Sequence, residues 1–131
     1  MSETYTITDL ATEFGVTPRT IRFYEDKSLL HPQRQGLNRV FSRRDRARLQ
    51  LILRGKRLGF SLAIIREMLD LYDLGDGQVE QLRVTLKRSQ ERLAELEVQR
   101  RDIHDAIREL KEGIQALQKA LSAKGVTTHA A

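Results

Sequence analysis

Read for the spacing of apolar and polar positions, the chain opens with two short amphipathic segments. Thr6-Ile7-Thr8-Asp9 supplies hydroxyl caps and an early acid for a helix start. Asp9–Phe14 then places Leu10 and Phe14 four residues apart on one face, and Gly15 stops the helix. Val16 fills the turn, and Thr17 caps a second helix that begins at Pro18, where a missing N–H costs nothing. This helix runs to about Lys27. At 100° per residue Ile21 and Tyr24 share an inward side, while Arg19, Arg22 and Phe23 share another. Two short helices joined by a tight glycine-containing turn form a helix-turn-helix pattern. Two arginines and an aromatic on one face suit a major groove, because guanidinium groups reach both guanine edges and phosphates. A solvated basic face of an ordinary helix has the same composition, so the next segment decides between them.

Leu29-Leu30-His31-Pro32 ends the second helix, Gln33–Asn38 is turn-rich around Gly36, and Arg39-Val40-Phe41-Ser42 is β-prone. Together they predict a small wing carrying Arg34 and Arg39. Ser42, with Asp45 three residues on, starts a third helix. Its charged face is read as Arg43, Arg44, Arg46 and Arg48, and its apolar stripe as Leu49, Ile52 and Leu53. Gly59 ends it after Lys56-Arg57-Leu58. Ser61 caps a fourth helix with Leu62, Ile65, Met68, Leu69 and Tyr72 inward, and Leu74-Gly75-Asp76-Gly77 reads as a hinge. A calcium loop starting at Asp70 is rejected, because Tyr72, Leu74 and Gln81 fall where oxygen ligands are required.

From Val79 the period shifts to 3.5 residues. The a positions are Val79, Leu86, Leu93, Arg100, Ile107, Ile114 and Leu121; the d positions are Leu82, Ser89, Leu96, Ile103, Leu110 and Leu117. Eleven of these thirteen positions are apolar. As one helix the run spans roughly 65 Å. So narrow a stripe cannot bury itself, which predicts pairing with a second copy through these residues. Arg100 and Ser89 interrupt the seam, and such breaks fix register or orientation at some cost in stability. The fold class expected is all-α with a small β wing: a winged helix-turn-helix at 1–75, a coiled-coil dimerisation helix at 76–122, and a flexible tail at 123–131.

Charge sharpens this division. Of the net charge of +5, residues 1–60 carry the excess, with 12 Lys/Arg against 6 Asp/Glu, while residues 61–131 hold 11 against 12. A basic head on a near-neutral body is the electrostatic footprint of a nucleic-acid binder. With no cysteine, thiolate metal sites, disulfides and iron–sulfur clusters are excluded. The start, MSETYTITDLA, has no basic region followed by an apolar run, and no apolar stretch approaches membrane-spanning length, the longest wholly aliphatic one being Leu62–Ile65. A soluble, cytoplasmic chain with no membrane partner is expected.

The strings Thr20-Ile21-Arg22-Phe23-Tyr24-Glu25-Asp26-Lys27-Ser28-Leu29-Leu30, Arg39-Val40-Phe41 and Leu58-Gly59-Phe60-Ser61-Leu62 together resemble the MerR family of bacterial transcriptional regulators. The resemblance covers about residues 5–75 in detail, and the long helix fits the family's dimerisation helix. It implies two winged heads held apart by an antiparallel coiled coil on a pseudo-palindromic promoter operator in double-stranded DNA, with RNA polymerase at that promoter. Positions matching the family's DNA contacts are Arg19 and Arg22 on the recognition helix, Arg34 and Arg39 in the wing, and Lys56. Phe23 or Tyr24 would touch phosphate, with core packing the alternative for Tyr24. The sequence departs from the pattern at Leu37-Asn38, where many members carry a glycine–aromatic pair, and at Phe41, which replaces a frequent Tyr. The ten residues after Leu121 leave no room for a separate drug-binding domain. Residues 51–62 and Leu71-Tyr72-Asp73 are similar to regulators of leucine and isovalerate catabolism, which implies a small-molecule effector such as a branched-chain acyl-CoA.

Two functional classes follow, a dimeric transcriptional regulator that distorts promoter DNA and an architectural DNA binder whose coiled coil is an interaction rod. No enzyme is supported, and no cofactor is expected. His31, His104 and His129 are scattered, and the acid pairs Glu95/Glu97 and Glu109/Glu112 read as solvated coil faces.

Overall fold

The computed structural model describes residues 3–72 and 78–126, which fall into two compact units, residues up to 89 and residues from 90 on. In chain order the elements are β1 (Thr4–Tyr5), α1 (Ile7–Phe14), α2 (Pro18–Asp26), β2 (Gln33–Gln35), β3 (Asn38–Ser42), α3 (Arg43–Leu58), α4 (Leu62–Tyr72) and α5 (Gln78–Ala123). The hinge expected at 74–77, the domain boundary beside it and most of the tail lie outside the described residues.

The helix ends form where the capping residues predict. The Thr6 hydroxyl accepts from the Asp9 N–H while the Asp9 carboxylate accepts from the Thr6 N–H, a reciprocal cap for α1. Ser42 and Asp45 repeat this arrangement at α3. Thr17 caps α2 ahead of Pro18, and Gly15 and Gly59 close α1 and α3 in the left-handed conformation. The end of α2 is different. Ser28 takes φ +61 there, a conformation that a side chain resists by about 1–2 kcal/mol.

The sheet is three-stranded and antiparallel in the order β1-β3-β2. Two strands go beyond the sequence reading. Gln33–Gln35, expected as turn, pairs with β3, leaving Gly36-Leu37 as a two-residue hairpin turn. β2 is exposed at all three residues, so no alternation marks it. Thr4–Tyr5 pairs with Ser42 and Phe41, and two residues are too few to carry a period.

The core of the first unit gathers Leu10, Ile21, Leu29, Leu30, Phe41, Leu49, Ile52, Ile65 and Leu69, all with at most 2% of their surface exposed. Each such side chain contributes about 1.5–3 kcal/mol. At Gly55 the two helices α3 and α4 approach closely, since a Cβ there would lie 2.8 Å from Ile65 Cγ1. Two expectations are corrected. Arg48, read on the charged face of α3, is 4% exposed, and its Nε donates to the Leu29 carbonyl. Tyr72, read as inward, is 43% exposed in the last turn of α4.

In the second unit α5 continues as a single helix, and a left-handed Gly125 follows its end. The seam residues Leu82, Leu86, Leu93, Leu96, Ile103, Ile107, Leu110, Ile114, Leu117 and Leu121 are all exposed, from 38% at Leu96 to 67% at Leu82. No helix among the described residues is long and apolar enough to cross a membrane.

Two substitutions of opposite sign test this packing in urea unfolding. Ser28→Gly is expected to stabilise the chain by about 0.5–1 kcal/mol, because glycine accepts the left-handed φ. Gly55→Ala is expected to destabilise it by about 1–3 kcal/mol, because buried Ile65 must shift. The same sign for both would contradict the backbone assignment.

Candidate nucleic-acid interface

α2 is held by one face and free on the other. Ile21 and Tyr24 are buried in the core, at 0% and 5% exposure. Arg19, Arg22 and Phe23 stand on the exposed side, as their spacing predicts. Of the two roles the sequence left open for Tyr24, the structure takes core packing. Burial raises its hydroxyl pKa above the ordinary value, and its ring meets Phe23 edge-on at 5.6 Å. Phe23 in turn lies under the Lys27 ammonium, 5.5 Å from the ring centroid, so the aromatic is fixed on the basic face.

The chain leaving α2 is anchored by two arginines that arrive from elsewhere. The Arg66 guanidinium on α4 donates to the Lys27 carbonyl, and Arg48 on α3 donates to the Leu29 carbonyl at 2.9 Å. Both carbonyls lie just past the end of α2, where positive charge complements the helix dipole. Buried Asp45 completes the attachment by accepting from the His31 N–H, the Ser42 N–H and the Ser42 hydroxyl. One carboxylate thus ties the linker after α2 to the start of α3.

The wing is fastened to α2 through Glu25. In the β2–β3 register Arg34 stands directly opposite Arg39, a like-charge pair that destabilises a hairpin. Glu25 accepts from both, at 3.0 Å from Arg34 Nη2 and 2.5 Å from Arg39 Nε. The repulsion is thereby turned into a three-group link that sets the wing against α2. Arg34 keeps half its side chain exposed, whereas Arg39 is the more enclosed. At the wing tip Leu37 is 98% exposed. Lys56 is exposed in the last turn of α3, among the basic residues that complement the helix dipole. Arg46, on the same helix, grips both Glu13 carboxylate oxygens through Nε and Nη2 and lies 5.7 Å from the Phe14 ring centroid. Those hydrogen bonds hold the Glu13 carboxyl below its usual pKa.

The structure therefore brings Arg19, Arg22, Phe23 and the wing pair Arg34/Arg39 together through α2 and Glu25, with Lys56 exposed on α3. Sequence reasoning missed Glu25, Arg48, Arg66 and Asp45 as the residues that hold this face. Asp45 was legible only as a cap. The other three have partners 9 to 39 residues away, beyond any local pattern. Among the described residues no three His, Asp or Glu side chains gather into a metal-sized cluster.

Known proteins place this geometry. The chain matches the model of the MerR HTH family regulatory protein over residues 5–71 and that of the MerR DNA-binding region over residues 46–122. It is 42% identical over 69 residues to the HTH-type transcriptional regulator ZntR of Escherichia coli, covering 51% of this chain and 49% of that protein. It is 31% identical over 103 residues to the HTH-type transcriptional regulator HmrR of Rhizobium leguminosarum, covering 78% of each. The chain spans about half the length of the curated relatives that it matches at above 40% identity. Among solved structures it resembles HiNmlR, described as a MerR family regulator lacking the sensor domain and bound to promoter DNA. That likeness has a TM-score of 0.53 and 29% identity, and covers 95% of this chain and 92% of that one. With a winged helix-turn-helix, two matching family models and a relative aligned over most of both chains, this chain belongs to the MerR family of helix-turn-helix regulatory proteins.

Proposed function

We propose that this chain is a dimeric, sequence-specific DNA-binding transcriptional regulator, with α2 entering the major groove and the wing reaching the flanking backbone. One observation carries the reading: α2 buries Ile21 and Tyr24 while Arg19, Arg22 and Phe23 stand free on its other side, beside arginines aligned by Glu25. Arg19 and Arg22 are the base-edge and phosphate contacts of this reading. Arg34, Arg39 and Lys56 are backbone contacts, and Phe23 packs on sugar and phosphate. Tyr24 acts from the core, setting the pitch of the helix. The described HiNmlR complex supports promoter DNA as the partner.

The exposed seam of α5 supports a homodimer. Its apolar residues recur at the coiled-coil period and remain 38–67% exposed, an apolar stripe that a second copy would bury. A dimer of winged heads reads two half-sites, so the operator is a pseudo-palindrome. On this reading bound DNA is distorted and RNA polymerase meets the complex at the promoter. The finer reading, control of branched-chain acyl-CoA catabolism, rests on the resemblance of residues 51–62 and 71–73 to regulators of that pathway. Thermal unfolding of the purified chain against branched-chain acyl-CoA thioesters tests it, and no shift with any of them removes that ligand class.

Arg22→Ala is expected to weaken operator binding by about 1–3 kcal/mol and to relax preference at the contacted base. Unchanged affinity and unchanged preference would remove Arg22 from the interface. Ile107→Asp is expected to turn the dimer into monomers in sedimentation equilibrium, because it puts a charge into the seam. A dimer of undiminished strength would place the pairing surface elsewhere.

A further inference from the structure

The seam of α5 carries two polar breaks, Ser89 at a d position and Arg100 at an a position, eleven residues apart on one continuous helix. Both side chains are exposed in the single chain, on the stripe that also presents Leu86, Leu93, Leu96 and Ile103. A second copy that covers the stripe sets one of its own side chains against each break. A guanidinium against an aliphatic layer is a charge without a partner, and a hydroxyl there loses its hydrogen bond. Where the breaks stand therefore decides how two copies can meet.

A two-fold parallel pair is in register by symmetry, so each residue meets its own counterpart. Arg100 then stands against the partner's Arg100, two like charges in one layer of the seam. An antiparallel pair sets a positions against d positions instead. In one such register Ser89 meets the partner's Arg100, and Arg100 meets the partner's Ser89. It pairs residues 78–111 of each helix, and its other layers are apolar on both sides. Leu93 faces the partner's Leu96 beside the two-fold axis, and Val79 faces the partner's Leu110 further out. Along the flanks Gln90 lies by the partner's Glu97 and Arg92 by the partner's Gln99, so no two carboxylates and no two Lys/Arg side chains are opposed. Sliding by one heptad removes the match. One slide sets Arg100 against the partner's Leu96 and Glu97 against the partner's Glu97. The opposite slide sets Arg100 against the partner's Leu82 and Arg92 against the partner's Arg92. The register of fullest overlap sets Arg100 against the partner's Ile103 and Ser89 against the partner's Ile114.

We propose that the occupant of the seam is a second copy held antiparallel in the register that sets Ser89 of each chain against Arg100 of the other, the hydroxyl accepting from the guanidinium. The two interruptions are then one contact, made twice per dimer, and each half is incomplete without the partner's side chain. This deepens the homodimer reading given above and rests on it.

The chain contains no cysteine, so a pair of introduced thiols reports the register directly while Ser89 and Arg100 stay in place. In the proposed register Leu86 faces the partner's Ile103. The full-length Leu86→Cys/Ile103→Cys variant, oxidised with glutathione and mapped by mass spectrometry, is expected to give 86–103 as its main link. That link can form only between chains, because the two positions lie about 25 Å apart along one helix and a disulfide reaches about 7 Å between Cα atoms. A second measurement reads the contact itself by sedimentation equilibrium. Ser89→Glu is expected to dimerise about tenfold more tightly than Ser89→Gln, and the difference is expected to vanish when Arg100→Gln is added to each. Main links of 86–86 and 103–103, no 86–103 link in a dimeric protein, or a Ser89→Glu dimer no tighter than Ser89→Gln would overturn the register and leave the homodimer standing. A monomeric unsubstituted chain would overturn both.

Discussion

The exposed arginine face of α2 depends on two charged groups that α3 buries near its start. Asp45 and Arg48 are 5% and 4% exposed, and an unpaired charge at such depth would be strongly unfavourable. Each is stabilised by partners outside its own helix. Asp45 takes the His31 and Ser42 backbone N–H groups, and Arg48 takes the Leu29 carbonyl. The linker from Leu29 to His31 is therefore pinned at both ends by groups one helical turn apart. That linker fixes where α2 stops and where the wing begins. Leu29 and Leu30, buried in the core between those attachments, add the apolar half of the same constraint.

From this anchor the rest of the head follows in order. With its exit held by Arg48 and Arg66, α2 can bury Ile21 and Tyr24 and leave its arginine face to solvent. Glu25, one residue beyond Tyr24, then sets the wing by joining two arginines that would otherwise repel. Most of the basic charge in this region is thus committed to structure or preorganised by it. Arg19 and Arg22 gain their meaning from standing outside that network on one exposed face.

Much of this was legible in the sequence, for physical reasons. Caps act within three residues, so Thr6, Thr17 and Ser42 announce helix starts, and Gly15 and Gly59 announce stops. Apolar spacing separated Ile21 and Tyr24 from Arg19 and Arg22 on a single short helix. The failures are those where distant chain decides. Arg48 sits at a position that helical geometry alone assigns to a basic face, and only the Leu29 carbonyl, 19 residues earlier, turns it inward. The strands β1 and β2 are too short and too polar to show a period, and β3 supplies the partner that makes them strands. Ser28 is the reverse case, a residue whose left-handed backbone contradicts its local preference because the Leu29 N–H must reach the Tyr24 carbonyl. For α5 the regular period from Val79 marked one long helix, and the structure shows one from Gln78 to Ala123.

The central claim is that the arginine face reads sequence and does more than attract phosphate. Selection from random duplexes with the purified chain, followed by competition of the enriched site against bulk DNA at fixed physiological salt, tests this most directly. The account predicts a site with two inverted half-sites and a preference of about 10³-fold or more over bulk DNA. No enriched site, or a preference within a few-fold of bulk, would contradict it and leave an architectural DNA binder in its place.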